Sequence, residues 1–309
     1  DYDWKKVMPG HKADALWSKV YPFKELPQLV NPDCGYVFNA NNTPLHASCE
    51  SSDMKPSPSW DPYMDFRTGD NNRSLRLMEL FEQYTRVDFD ILKKIKFDNQ
   101  YPKTGKFLES VNIIYTVDET KYPDVKPLIL SMRQWDKVAD STSVSATYFM
   151  LTFDYVFTKM KYSDQKFLEG IDLTEELLIE ALRFTKGHLE KYFNTIEVPL
   201  KDIQVVRRGD EEYAMPGFPD ALAANYSKKN KKDGKYVGYV GDTYTLIVEY
   251  GSQGPVRIES LVNYGASAHP DSPHYTDQMR IWSKQQTKTM TLDKEEVYKN
   301  AKKIYRPGK

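Results

Sequence analysis

The sequence predicts an α+β protein in which helices and strands are segregated along the chain. Apolar residues recur at helical spacing between Asn72 and Thr195, and beyond Ile203 the period switches to two. The composition is 40% hydrophobic and 28% charged, with 22 Tyr, 14 Phe and 5 Trp, which supplies a core and excludes a disordered chain. The 309 residues divide into a site-bearing start with irregular backbone (1–71), a helical segment (72–196) and a β-rich segment with a C-terminal tail (197–309). Domains of roughly 100–200 residues would make this one or two domains.

Each element has a local reason. Pro27, Pro32 and Gly35 punctuate an approach loop to a short predicted strand, Tyr36–Phe38. Residues 43–72 hold four of the 18 prolines and five serines around Trp60, Tyr63 and Phe66, which reads as irregular backbone pinned by aromatics. Leu75, Met78, Phe81 and Tyr84 form a stripe on a first helix, and Phe89, Leu92 and Ile95 mark a second. A third begins near Pro123, and a fourth covers Val144 to Lys161. The next opens with Asp172 as N-cap and Glu175 three residues on, then sets Leu178, Ala181, Leu182, Thr185, Leu189, Tyr192 and Phe193 on one face. In the last third, Tyr244, Leu246, Val248 and Tyr250 alternate with Thr245, Ile247 and Glu249 before a Gly251–Gly254 turn into Val256–Leu261, a hairpin with apolar residues on both faces.

Several functions are disfavoured. A net charge of -1 gives no reason to expect nucleic acid or an anionic membrane, and no apolar run approaches the ~18 residues that span a bilayer. The five histidines are scattered, with no HExxH, no phosphate-binding glycine loop is present, and neither a metal nor a cofactor is expected. Lys228, Lys229, Lys231, Lys232 and Lys235 read as a solvated hairpin loop, with an anion contact as the functional alternative. Asn41, Asn72 and Asn225 stand in N-x-[ST], a pattern frequent by chance, and burial would exclude a glycan. Cys34 and Cys49 have no metal-ligand spacing; both flank the Asn39–Pro44 turn, where they either bridge or remain two buried thiols.

Asparagines crowded just past a predicted strand, in Gly35-Tyr36-Val37-Phe38-Asn39-Ala40-Asn41-Asn42-Thr43-Pro44, point to a polar site. This segment resembles the Gly-Tyr-(apolar)-x-Asn-x-Asn-x-(Ser/Thr)-Pro motif of the penicillin acylase group of N-terminal-nucleophile hydrolases, in its aculeacin and acyl-homoserine-lactone acylase branch. Tyr264-Gly265-Ala266-Ser267-Ala268-His269-Pro270-Asp271-Ser272-Pro273-His274-Tyr275-Thr276-Asp277-Gln278 is similar to that group's C-terminal YGxSxxPxSPHYxDQ signature. Between them, Arg208-Gly209-Asp210, Pro216-Gly217-Phe218-Pro219-Asp220-Ala221-Leu222 and the hairpin-like Gly241-Asp242-Thr243-Tyr244 follow the same order. The resemblance runs from Tyr2-Asp3-Trp4 to about Trp282.

The resemblance implies a four-layer αββα sandwich and hydrolysis of an N-acylated amide to a carboxylic acid and an amine. It places Asp1 within the β chain, so the N-terminal serine nucleophile, the backbone half of the oxyanion hole and much of the acyl pocket are expected on sequence outside these residues. The expected partners are therefore the N-terminal part of the β chain, the α chain and an N-acyl substrate, and the expected location is periplasmic or secreted. Asn41 matches the side-chain donor to the oxyanion, with Asn39 and Asn42 as register alternatives. Arg73 matches the arginine that orients that asparagine and the nucleophile's amine, with Arg67 and Arg76 as rivals. His274, within SPHY, is expected to brace the fold. The alternative function is an inactive relative acting as a binding or scaffold protein; an independent sugar-binding β module suits the aromatics but not the motifs.

Overall fold

The computed structural model describes residues 2–3, 6–16, 20–60, 64, 69–161, 169–306 and 308. Asp1, Trp4, Tyr63, Phe66 and the rival Arg67 lie outside the described residues. The chain forms two units, residues 1–70 and 71–309.

The first unit holds only short 3-10 turns, at Ala13–Ala15 and Phe23–Glu25, among its described residues. The strand expected over Tyr36–Phe38 does not form. Phe38 N–H donates to the Ala47 carbonyl at 2.9 Å, but no ladder develops and Val37 is exposed. The Cys34–Cys49 bridge is present. From just beyond that loop, Asp53 Oδ1 accepts from the N–H groups of Ala47 and Ser48, both at 2.9 Å, and within it Ser48 Oγ donates to the Tyr36 carbonyl at 2.6 Å. Side chains satisfy the backbone where secondary structure does not.

The second unit is built on helices α1 (Asn72–Gln83), α2 (Phe89–Lys96), α3 (Lys106–Val111), α4 (Lys126–Arg133), α5 (Val144–Lys159) and α6 (Glu175–Phe193). The Leu75-Met78-Phe81-Tyr84 stripe of α1 is only partly buried, and the buried residues are Asn72, Ser74, Arg76 and Leu80, because Arg76 brings a carboxylate network with it. The third expected helix starts at Lys126, with proline in its first turn, where a missing N–H costs nothing. The short α3, introduced by Gly105 at φ 146, was not anticipated.

Helix α5 buries every residue from Ala146 to Phe153, so it is covered on all sides and packs on α6. Thr152 and Thr185 share a hydroxyl–hydroxyl bond of 2.9 Å in that contact, which lets two polar groups sit fully buried. The cap of α6 is Thr174, not Asp172: Thr174 Oγ1 accepts from Leu177 N–H, and Glu175 is the first helical residue, where its charge suits the helix dipole. The helix ends at Asn194, whose φ of 56° is left-handed. Its buried face contains the expected Leu178, Ala181, Leu182, Thr185 and Leu189, and adds Ile179 and His188.

After α7 (Leu200–Ile203) come strands β1 (Gln204–Arg208), β2 (Glu211–Ala214), β3 (Asn225–Lys229) and β4 (Tyr236–Gly241), forming a sheet of order β2-β1-β4-β3. The β1–β4 pair is parallel and the outer pairs antiparallel. The lysine-rich loop lies in the β3–β4 hairpin as expected, though Lys228 and Lys229 belong to β3 and lie over the rings of Tyr239 and of Phe184 and Tyr192. Strands β5 (Tyr244–Gly251), β6 (Gly254–Val262) and β7 (Lys288–Met290) make a second, antiparallel sheet. Gly241–Tyr244 is therefore a corner between sheets rather than a hairpin. Helices α8 (Met279–Ser283) and α9 (Lys294–Asn300) complete the unit.

The β5–β6 hairpin buries Thr245, Ile247 and Leu261 and leaves Tyr244, Leu246, Tyr250 and Val256 exposed. On β6, Glu259 accepts from Lys93 of α2 at 2.6 Å, from Arg257 at 2.8 Å and from Thr287. Burial alone would raise its pKa, but these donors outweigh burial and push it down to about 2.

Candidate active site

In the first unit, the turn at Asn39–Thr43 uses its asparagines unequally. Asn39 Oδ1 accepts from Asn41 N–H at 2.8 Å, and Asn42 Oδ1 accepts from Ala40 N–H at 2.9 Å. Asn42 Nδ2 also donates to the carbonyls of Thr43 at 3.1 Å and His46 at 2.5 Å, so both of its amide hydrogens are committed to backbone. That removes Asn42 as a donor to a substrate. Asn41 stands at the apex with φ 57°, a left-handed conformation that asparagine tolerates, and is exposed. Thr43 is buried beneath, its Oγ1 accepting from Leu45 N–H at 3.2 Å. His46 Nδ1 lies 2.6 Å from Asp70 Oδ2 in the same unit, a contact that sequence reasoning missed because 24 residues separate the two.

Arg73 belongs to the second unit, in the first turn of α1. Asn71 caps this helix by accepting from Ser74 N–H, and Asp220 Oδ2 accepts from Asn72 N–H at 2.9 Å. The other oxygen of Asp220 accepts from Arg73 Nε, also at 2.9 Å. One buried carboxylate therefore serves a helix terminus and a guanidinium together, an arrangement favoured by the dipole and by the charge. The D-x-L motif contained this partner, but only folding joins residues 147 positions apart. Asp220 itself is left-handed at φ 58°. Gly217 precedes it at φ 80°, where a Cβ would fall 1.9 Å from the Ala223 carbonyl oxygen, so the PGFPD segment needs glycine there.

The rival Arg76 has a different employment. It donates through Nε and Nη2 to Asp98, through Nη1 to Glu79 and again through Nη2 to Gln100, all within 3.0 Å, and is 7% exposed. Burial pulls its pKa down, yet the bonds and charges of Asp98 and Glu79 prevail and hold it above the ordinary arginine value. Arg76 is a cross-link. Asn72, beside Arg73, is 1% exposed with neither side-chain amide atom paired among the described residues. Such burial excludes a glycan at Asn72, and equally at Asn225, whereas Asn41 is exposed.

The SPHY segment folds as a brace. Gln278 N–H donates to the Tyr264 carbonyl at 3.0 Å and Gln278 Oε1 accepts from Val262 N–H at 3.0 Å, closing the loop at its base. His274 Nδ1 is 2.8 Å from Asp277 Oδ2. Gly265 lies so close to the His274 carbonyl that a Cβ would sit 2.2 Å from its oxygen. The guanidinium of Arg208, from the RGD turn, lies 4.0 Å from the Tyr275 ring centroid and 5.0 Å from that of Tyr264, and Nη1 donates to the Tyr275 carbonyl. Among the described residues no cluster of metal-ligating side chains occurs, and no helix is long and apolar enough to cross a membrane.

A family model described as penicillin amidase matches residues 2–299. The chain belongs to that family. It is similar to the acyl-homoserine lactone acylase PvdQ of Pseudomonas savastanoi pv. phaseolicola (strain 1448A / Race 6), 23% identical over 92% of this chain and 38% of that protein. The protein of the same name from Pseudomonas syringae pv. syringae (strain B728a) is 22% identical, with the same coverage. The chain thus spans well under half the length of these relatives. Its fold is similar to that of a thermostable penicillin G acylase from Alcaligenes faecalis, with a TM-score of 0.50 and 12% identity, over 94% of this chain and 60% of that one.

Proposed function

From membership of the penicillin amidase family and the geometry of the asparagine turn, we propose that this chain is part of an amidohydrolase that cleaves N-acylated compounds. The nucleophile, an N-terminal serine, is supplied by a part of the relatives' length that these residues do not span, and without it this chain is inactive. Attack on the amide carbonyl places negative charge on its oxygen. Asn41 donates Nδ2–H to that oxyanion from a turn already fixed by Asn39 and Asn42, so little reorganisation accompanies the reaction. Arg73, anchored through Nε by Asp220, is the residue to which the family resemblance assigns the orienting of the oxyanion asparagine and the nucleophile's amine, and its positive charge would disfavour protonation of an amine acting as base. The disulfide supports a periplasmic or secreted location, because such bridges persist in oxidising compartments. The observation that carries this reading is the division of labour in the turn: Asn42 holds backbone with every amide hydrogen, while Asn41 occupies the exposed apex.

The test uses the protein carrying its nucleophile. Asn41→Ala lowers kcat by about 10²–10³ with a smaller change in KM, since the interaction strengthens as the oxyanion forms. Arg73→Ala lowers the rate and moves the acidic limb of the pH profile upward. Normal turnover in Asn41→Ala with loss in Asn39→Ala would transfer the donor role to Asn39. Normal turnover in both would remove catalysis from the turn and favour a scaffold function.

A further inference from the structure

A cavity of about 670 Å³ opens in the second unit between α3, α5 and the four-stranded sheet. None of the catalytic candidates lines it. Its walls include Phe107, Phe149, Phe153, Phe157 and Phe218, which touch one another edge-on or tilted with centroids 4.6–6.3 Å apart. Such a volume lies within the roughly 300–1,000 Å³ of small-molecule sites, and rings with few polar groups are their usual lining.

The described lining holds one carboxylate, Asp154. Its Oδ2 accepts from Tyr236 Oη at 2.8 Å, and its Oδ1 takes no hydrogen bond among the described residues. No ion pair within hydrogen-bonding reach neutralises it there. Burial raises its pKa despite the Tyr236 bond and the more distant charge of Lys229. The one cation of the described lining, Lys161, is exposed, and the Lys229 ammonium lies over Phe184 and Tyr192 instead. An unneutralised carboxylate among aromatic faces is complementary to one ligand chemistry. A cation gains both from the negative charge and from the ring quadrupoles, while an apolar group fills the remaining volume.

We propose that this cavity binds a small organic ammonium compound with an aromatic group, its N–H donating to Asp154 Oδ1 and its ring lying among Phe107, Phe149, Phe153 and Phe157. Neither Asn41 nor Arg73 is among its described lining residues, and the proposal does not rest on the amide-cleaving reading.

Calorimetric titration of the full-length protein with 2-phenylethylammonium, 2-phenylethanol and 3-phenylpropionate tests this. The ammonium binds about tenfold or more tightly than the alcohol, as expected for a charge-assisted bond, and the carboxylate binds weakest. Asp154→Asn abolishes the preference for the ammonium and leaves the alcohol's affinity within about twofold. Thr158→Trp, at the exposed edge of the lining, blocks binding while turnover of an N-acyl substrate is unchanged, which separates this cavity from an amine product site. Tyr236→Phe, which frees Oδ2, retains or strengthens the preference and serves if Asp154→Asn does not fold. Equal binding of the three compounds, a preference that survives Asp154→Asn, binding undiminished by Thr158→Trp, or no saturable binding in the full-length protein would overturn the proposal.

Discussion

Between Cys34 and Asp53 the chain is fixed by directional bonds: a disulfide, a carboxylate accepting two backbone N–H groups, and asparagines that hold their own turn. Between Tyr101 and Tyr236 it is fixed by apolar contact, with Leu128, Leu151, Leu182 and Leu189 fully buried and a continuous set of rings from Tyr101 through Phe149 to Phe218. The comparison separates two ways of making a rigid scaffold. Burial is non-directional and needs many residues, so it suits helices that present whole faces. Hydrogen bonds and a covalent bridge hold a few atoms in a set geometry, and a turn that must present one amide benefits from them.

The sharpest break in that comparison is a large-to-small change in the second unit. Leu182→Ala should destabilise it by about 2–5 kcal/mol, from lost burial and the cavity left behind. Urea unfolding followed by tryptophan emission would show it, and a cost under about 1 kcal/mol would deny the α5–α6 contact its place in the core. Removing the bridge with paired Cys34→Ser and Cys49→Ser changes is expected to cost the first unit about 3 kcal/mol, the chain-entropy value for a loop of this length. Limited proteolysis between residues 34 and 53 should accelerate while the helical segment stays protected. Equal protection with and without reductant would show that the Asp53 and asparagine bonds suffice.

His188 sharpens the comparison from the apolar side. Burial lowers its pKa from 6.5 to about 4, against the opposing bond between Nε2 and the Gly234 carbonyl at 2.8 Å, with Lys229 and Lys191 adding to the lowering. Because the folded pKa lies below the unfolded one, its contribution is complete above about pH 6.5 and is lost as pH falls towards 4, by at most about 3 kcal/mol. The raised pKa of Asp154 acts in the opposite sense as pH falls, so the quantity to measure is the difference between wild type and His188→Gln across this range. Parallel pH profiles would remove His188 as the source. The smallest effect is expected at a cap: Thr174→Ala should cost about 1 kcal/mol by freeing the Leu177 N–H, whereas Asp172→Ala should cost little. The reverse order would restore the cap to Asp172.

Much of this architecture was legible before folding. The α5 and α6 positions, the buried face from Leu178 to Leu189 and the β5–β6 hairpin follow from periods of 3.6 and two, which any chain segment displays on its own. The motifs that identify the family are contiguous and were readable for the same reason. What sequence reasoning misplaced depended on competition. Thr174 and Asp172 are both capping residues, and only the backbone path decides between them; the Tyr36–Phe38 segment is a short apolar run of the kind that forms strands but finds no ladder. Arg73 and Arg76 were indistinguishable as letters, since nothing local told one to meet Asp220 and the other to be closed in by Asp98, Glu79 and Gln100. The cavity around Asp154 was invisible altogether, because its walls come from residues spread between positions 101 and 240. The sequence by itself determined the elements and the family, through patterns that act over a few residues; the tertiary structure alone decided partners, burial and charge balance, because these arise between residues far apart along the chain.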